Sequence, residues 1–183
     1  MNKVLVVIDM QNDFIDGVLG TEQAREILPY MEARIKNSKD ELILFTQDTH
    51  YSDYLSTPEG KKLPVPHCIE GTEGWLIHES LLNAWEKNGG TIKDNSIPSH
   101  TFIKNVFGST ELVDYLNKHQ AIISEIELVG VCTDICVISN AIMIKNTLPH
   151  IPLVIDASLC AGVSPESHTR ALEAMKVCQI DVI

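Results

Sequence analysis

Two runs, Val4-Leu5-Val6-Val7-Ile8 and residues 126–131, constrain the fold most, because both read as buried strands. Strands apolar at successive rather than alternate positions need cover on both faces, which a parallel sheet between helical layers supplies. Further strands are predicted over residues 41–46, 91–93, 101–104, 151–156 and 179–183. Between them lie helical patterns. Ala24, Ile27, Leu28, Met31 and Ile35 predict a helix from about Glu22 capped by Thr21, with Pro29 marking a kink or a later start. Others are predicted over residues 77–85, after a cap at Ser109 or Thr110, after Val131, and from Ser164-Pro165-Glu166. The alternation predicts an α/β fold: a three-layer α/β/α sandwich, Rossmann-like, around a mostly parallel sheet of about six strands.

A length of 183 residues, 44% of them hydrophobic, suits one domain over the whole chain. The net charge of −11 disfavours nucleic acid and anionic membrane as partners. No apolar run approaches the ~18 to 20 residues that cross a bilayer, so a cytoplasmic protein is expected. The cysteines Cys68, Cys132, Cys136, Cys160 and Cys178 include no C-x-x-C pair, which disfavours a disulfide framework or a four-cysteine zinc site. Residues 51–75 are rich in proline and glycine without a sustained period. A loop of that length is expected to be a lid or a metal-organised segment.

The strand over 126–131 runs into Cys132-Thr133-Asp134-Ile135-Cys136, which places Cys136 in the first turn of a helix. There the positive end of the helix dipole would lower the thiol pKa, and backbone N–H groups would bind an oxyanion formed on attack at a carbonyl. The bland alternative is an ordinary buried cysteine. Asp9 and Lys104 each end a predicted strand, where open α/β sheets build their sites; alone, the first would be a turn residue and the second a solvated edge lysine. Asp48 and His50, two apart, face one side and could bind one ion, with His67 on the long loop as a third ligand. Solvated loop residues are the alternative.

Asp9, Asn12, Asp13 and Phe14, with the Cys136 turn and Lys104, resemble the isochorismatase-like cysteine hydrolases, whose better-known members are nicotinamidases, over nearly the whole chain. The resemblance implies that Asp9, Lys104 and Cys136 form a catalytic triad working through a thioester, with the Cys132 and Cys136 N–H groups as oxyanion hole. It implies a cis Val131–Cys132 bond, a strand order 3-2-1-4-5-6 and self-association into a homo-oligomer. Nicotinamidases carry the Asp48, His50, His67 pattern as a divalent-metal site, and Pro66-His67-Cys68-Ile69-Glu70-Gly71-Thr72 is similar to their metal loop. Zinc heads the candidates, with iron and manganese suited to the same donors, and Glu59 is a candidate further ligand.

The implied reaction is hydrolysis of a small carboxamide, nicotinamide first, to its acid and ammonia. Another amide, a carbamoyl compound or an enol ether is the alternative within enzymes, and a catalytically silent binding protein the alternative outside them. Three departures stand out: Cys132 replaces the family's alanine, Asn105 its glycine after the lysine, and Leu63-Pro64-Val65-Pro66 lacks its aromatic before the loop histidine. Phe14, Phe102, Phe107 or Trp75 would line the pocket instead.

Overall fold

A computed structural model describes residues 2–38, 41–93 and 97–183. The strands are β1 (Asn2–Ile8), β2 (Leu42–Asp48), β3 (Ile92–Lys93), β4 (Ile97–Pro98), β5 (Thr101–Lys104), β6 (Ile123–Val131), β7 (Leu153–Ala161) and β8 (Asp181–Val182). The helices are α1 (Asn12–Ile15), α2 (Glu22–Asn37), α3 (Pro58–Lys62), α4 (Glu79–Lys87), α5 (Thr110–His119), α6 (Ile138–Thr147) and α7 (Pro165–Val177). Six strands form a parallel sheet in the order β5-β2-β1-β6-β7-β8, which is 3-2-1-4-5-6 when only its own members are counted. β3 and β4 form a separate antiparallel pair.

The continuous apolar strands are covered on both faces. From β1, Leu5 and Val7 pack with Ala24, Ile27, Met31 and Ile35 of α2 and with Leu81 and Trp85 of α4. Val4, Val6 and Ile8 pack against Leu112 and Leu116 of α5, Ala141 and Ile144 of α6, and Met175 of α7. Successive residues of a strand point to opposite faces, so an unbroken apolar run fills two cores at once.

Local chemistry sets the helix limits. Thr21 caps α2 by accepting from Ala24 N at 3.0 Å, and Pro29 lies inside an otherwise unbroken helix. Pro29 and Arg25, one turn earlier, are both exposed, so the hydrogen bond that proline removes falls on the solvent side. Ser109, not Thr110, caps α5, accepting from Leu112 N. α4 begins at Glu79 rather than Ile77, with the His78 ring accepting from Ser80 N. β7 runs past Asp156 to Ala161, because Cys160 and Ala161 re-pair with Gly130 and Val131 after a register shift.

The expected structureless loop is built from short pieces: a 3-10 turn at Tyr54–Ser56, α3, and a 3-10 turn at Glu73–Trp75. Thr57 caps α3 with Pro58 at its start, and the buried Tyr54 donates its hydroxyl proton to Leu63 O at 3.0 Å. His50 then pairs with the loop through its N–H to Cys68 O and its carbonyl to Glu70 N, both at 2.9 Å. Among the described residues, no helix is long and apolar enough to cross a membrane.

Gly130 sits where β6 passes closest to β1. Its φ is +120°, and a Cβ there would lie 2.2 Å from the Ile8 carbonyl oxygen, immediately before Asp9. Both the left-handed backbone and the contact exclude a side chain. Gly130→Ala is expected to lower stability by about 3 kcal/mol or more in urea unfolding; a loss below about 1 kcal/mol would show that the strand ends can separate cheaply.

Candidate active site

Parallel strands deliver their C-terminal ends to one side, and three of them carry the predicted trio. Asp9 follows β1, Lys104 ends β5, and Cys136 lies in a π-helical turn, Thr133–Val137, that follows β6 and leads into α6. Lys104 Nζ lies 2.7 Å from Asp9 Oδ2, an ion pair without hydrogen-bond angles, and donates to Asp48 Oδ1 at 3.2 Å and to Cys136 Sγ at 3.6 Å. Thr46 donates its hydroxyl proton to Asp9 Oδ1 at 2.6 Å. All these side chains are buried.

Burial governs their protonation. Desolvation raises the Asp9 pKa against the pull of Lys104. Burial alone would lower the Lys104 pKa, but the carboxylates of Asp9 and Asp48 outweigh it and hold the ammonium firmly protonated. The Cys136 thiol is pushed well above its ordinary value by burial and by Asp9, with Lys104 opposing. The lowered thiol pKa expected from a helix start is therefore corrected. Cys136 is the fourth residue of a π turn, not a first-turn residue at an exposed helix end, and desolvation outweighs the dipole. The resting group is a neutral thiol beside a carboxylate that can take its proton.

The second cluster adjoins the first through Asp48. Ligand atoms of Asp48, His50 and His67 all lie within 4.8 Å of one another. His50 Nε2 is 3.1 Å and His67 Nε2 3.7 Å from Asp48 Oδ2. The His67 Nδ1 lies 2.8 Å from the Val65 carbonyl, which makes Nδ1 the donor and turns Nε2 toward the cluster. Among the described residues, the buried His50 Nε2 has no hydrogen-bond partner. One carboxylate and two imidazole nitrogens, one of them orphaned, fit a divalent cation. Glu59 Oε1 lies 3.8 Å and 4.0 Å from the two imidazole nitrogens. Its side chain remains partly exposed, so it borders the cluster.

Several supports lie outside the sequence expectations. Gln11 accepts from Asp48 N at 2.7 Å and donates to Asp48 O and Trp75 O at 2.8 Å, which fixes the end of β2. Asp13 accepts from Cys68 N at 2.7 Å and so anchors the loop beside His67. Asn140 donates to Cys136 O at 2.8 Å and accepts from Ser109 N at 2.9 Å. An asparagine four positions after the cysteine is the available signal.

A cavity of about 610 Å³ opens onto Cys136, Cys132, Asp48 and His67. Phe14 and Phe107 line it as expected, together with Leu63, Val106, Ile135 and Val163, and Glu59 stands in its wall. Trp75 does not line it. Its indole N–H donates to the Thr49 hydroxyl at 2.8 Å, and its ring sits in the core. Phe102 packs on Tyr115 instead, with ring centroids 5.4 Å apart. The Val131–Cys132 peptide bond is cis, as the resemblance implied.

The isochorismatase domain family matches residues 3–183. The nicotinamidase/pyrazinamidase of Mycobacterium tuberculosis is 28% identical over 202 residues, spanning 99% of this chain and 98% of its own. The solved pyrazinamidase/nicotinamidase of Streptococcus mutans superposes with a TM-score of 0.82 at 27% identity, over 100% of both chains. The pyrazinamidase of Pyrococcus horikoshii, solved in complex with zinc, superposes at 0.76 with 22% identity, over 100% of this chain and 99% of its own. At that identity the likeness is one of fold.

Four thiols, three buried and that of Cys132 partly buried, carry a pH consequence. Burial raises those of Cys68 and Cys136, and pushes those of Cys132 and Cys160 up to about 12. In the unfolded chain they release protons near pH ~8.5, whereas the folded protein retains them. Their contribution is thus complete below that pH and is lost as pH rises, by up to ~1.4 kcal/mol per pH unit for each thiol. Urea unfolding in reductant should show stability falling between pH ~8.5 and ~10; a flat profile would contradict the burial of these thiols.

Proposed function

The chain belongs to the isochorismatase domain family, and from that premise we propose that it hydrolyses nicotinamide to nicotinic acid and ammonia through a thioester on Cys136. The observation that carries this reading is the Lys104 ammonium set among Asp9, Asp48 and Cys136. It joins a thiol–carboxylate pair to the candidate metal cluster, and Cys136, Asp48 and His67 open onto one largely apolar cavity.

The amide carbonyl enters beside Cys136. Asp9 takes the thiol proton as sulfur attacks the carbonyl carbon, so the high thiol pKa is met by a base in place rather than by free ionisation. The N–H groups of Cys132 and Cys136 receive the oxyanion. When the C–N bond breaks, Asp9 returns the proton to the amine and ammonia leaves. Water then attacks the thioester, giving its proton to Asp9, and sulfur recovers a proton as the acid departs. Lys104 keeps both anions tolerable in a buried site.

Asp48, His50 and His67 would hold a divalent metal with Glu59 beside them, zinc first among zinc, iron and manganese. When bound, it supplies a fixed positive charge that orients the substrate through its ring nitrogen. A related small amide is a second reading, favoured by the aliphatic walls at Leu63, Val106 and Val163.

Ammonia release from a panel of carboxamides tests the substrate: nicotinamide should lead, and turnover of other amides with nicotinamide inert would favour the second reading. Cys136→Ala should lose roughly 10⁴-fold or more in rate while folding normally. The purified protein should bind about one equivalent of metal, which His50→Ala abolishes. Full activity in chelated, metal-free protein would remove the metal from the account.

A further inference from the structure

The turn that carries Cys136 is held from outside by a corner that the reaction steps do not use. Thr133 is fully buried, and its hydroxyl lies 2.8 Å from Nδ1 of His168 on α7. The next residue, Asp134, accepts from Val163 N with both carboxylate oxygens, at 3.1 and 3.3 Å. Gly162 makes this close approach feasible, since a Cβ there would lie 2.9 Å from the His168 Cβ and 3.0 Å from its backbone. Two consecutive residues at the start of the turn are thus tied to the corner between β7 and α7.

A π turn needs such ties. The Cys132 carbonyl accepts from Ile135 N at 3.1 Å and Val137 N at 3.0 Å, the Thr133 and Ile135 carbonyls accept from Ile138 N, and among the described residues no side chain caps the turn at Cys132. A small rotation would move the Cys136 sulfur together with the N–H groups of Cys132 and Cys136. Asn140 holds the far end through the Cys136 carbonyl. At the near end, a buried hydroxyl must find a partner, and His168 supplies it from the neighbouring helix.

We propose that His168 is a positioning residue for the hydrolysis: through Thr133 it sets the angle at which the turn presents Cys136 and the oxyanion donors. The proposal rests on the amide-hydrolase reading above. His168 lies outside the lining of the cavity, so its effect falls on the rate of bond making rather than on substrate binding.

The test compares wild type, Thr133→Val, His168→Leu, the double variant and His168→Asn, whose amide can place a donor or an acceptor where Nδ1 stood. Each single loss variant should drop kcat by roughly 10- to 100-fold with KM held within about threefold. The double variant should be no worse than either single, because both remove one bond, and His168→Asn should recover most of the rate. Unchanged kcat in Thr133→Val or His168→Leu, multiplying losses in the double variant, or no rescue by His168→Asn would overturn the proposal. Should His168→Leu fail to fold, Thr133→Val and His168→Asn decide it. If wild type hydrolyses none of the amides, the hydrolase reading fails on its own. The rate of Cys136 alkylation by iodoacetamide then separates the outcomes: an equal severalfold change in both single variants supports the positioning role, and no change overturns it.

Discussion

The Lys104 ammonium is the contact on which the site depends. Its side chain is 2% exposed and stands 2.7 Å from one buried carboxylate, 3.2 Å from another and 3.6 Å from a thiol. Two carboxylates in so dry a place would push one another toward the neutral form. A cation between them offsets that repulsion, and their charges in turn offset the cost of burying it. Loss of Lys104 would leave two uncompensated buried carboxylates, so the group depends on the cation.

The fold places this unit by register. Lys104 of β5 pairs with Asp48 of β2, and β1, which Asp9 follows, lies on the other side of β2. Gly130 lets β6 approach β1 closely enough for the cysteine turn to sit over Asp9. Asp48 belongs to both halves, one oxygen facing Lys104 and the other facing His50 and His67. The long loop closes the second half because Asp13 and His50 bind its backbone at Cys68 and Glu70, just after His67.

Much of this is legible in the sequence where the physics is local. Val4 to Ile8 can only be a strand buried on both faces, and the ends of such strands announce Asp9, Lys104 and the Asp48–His50 pair. Thr21 and Ser164 declare their helices by capping chemistry. What stays hidden depends on partners far away in the chain. A helix start suggests a lowered Cys136 pKa, but the burial that raises it cannot be read from that start. Trp75 reads as a pocket aromatic because nothing local reveals that Thr49 takes its indole proton. The order within residues 51–75 is hard to see although Thr57-Pro58 is a helix start, because the helix it opens is only α3, a single short piece. Gln11 and His168 give no signal, since each matters only through a bond across the fold.

Ammonia release by Lys104→Met, in protein whose circular dichroism matches wild type, tests the central claim most directly. The account predicts a loss of roughly 10³-fold or more, because the thiol and both carboxylates lose their shared counter-charge. A variant within about tenfold of wild type would contradict it, and would show that Asp9 and Cys136 work without the buried cation.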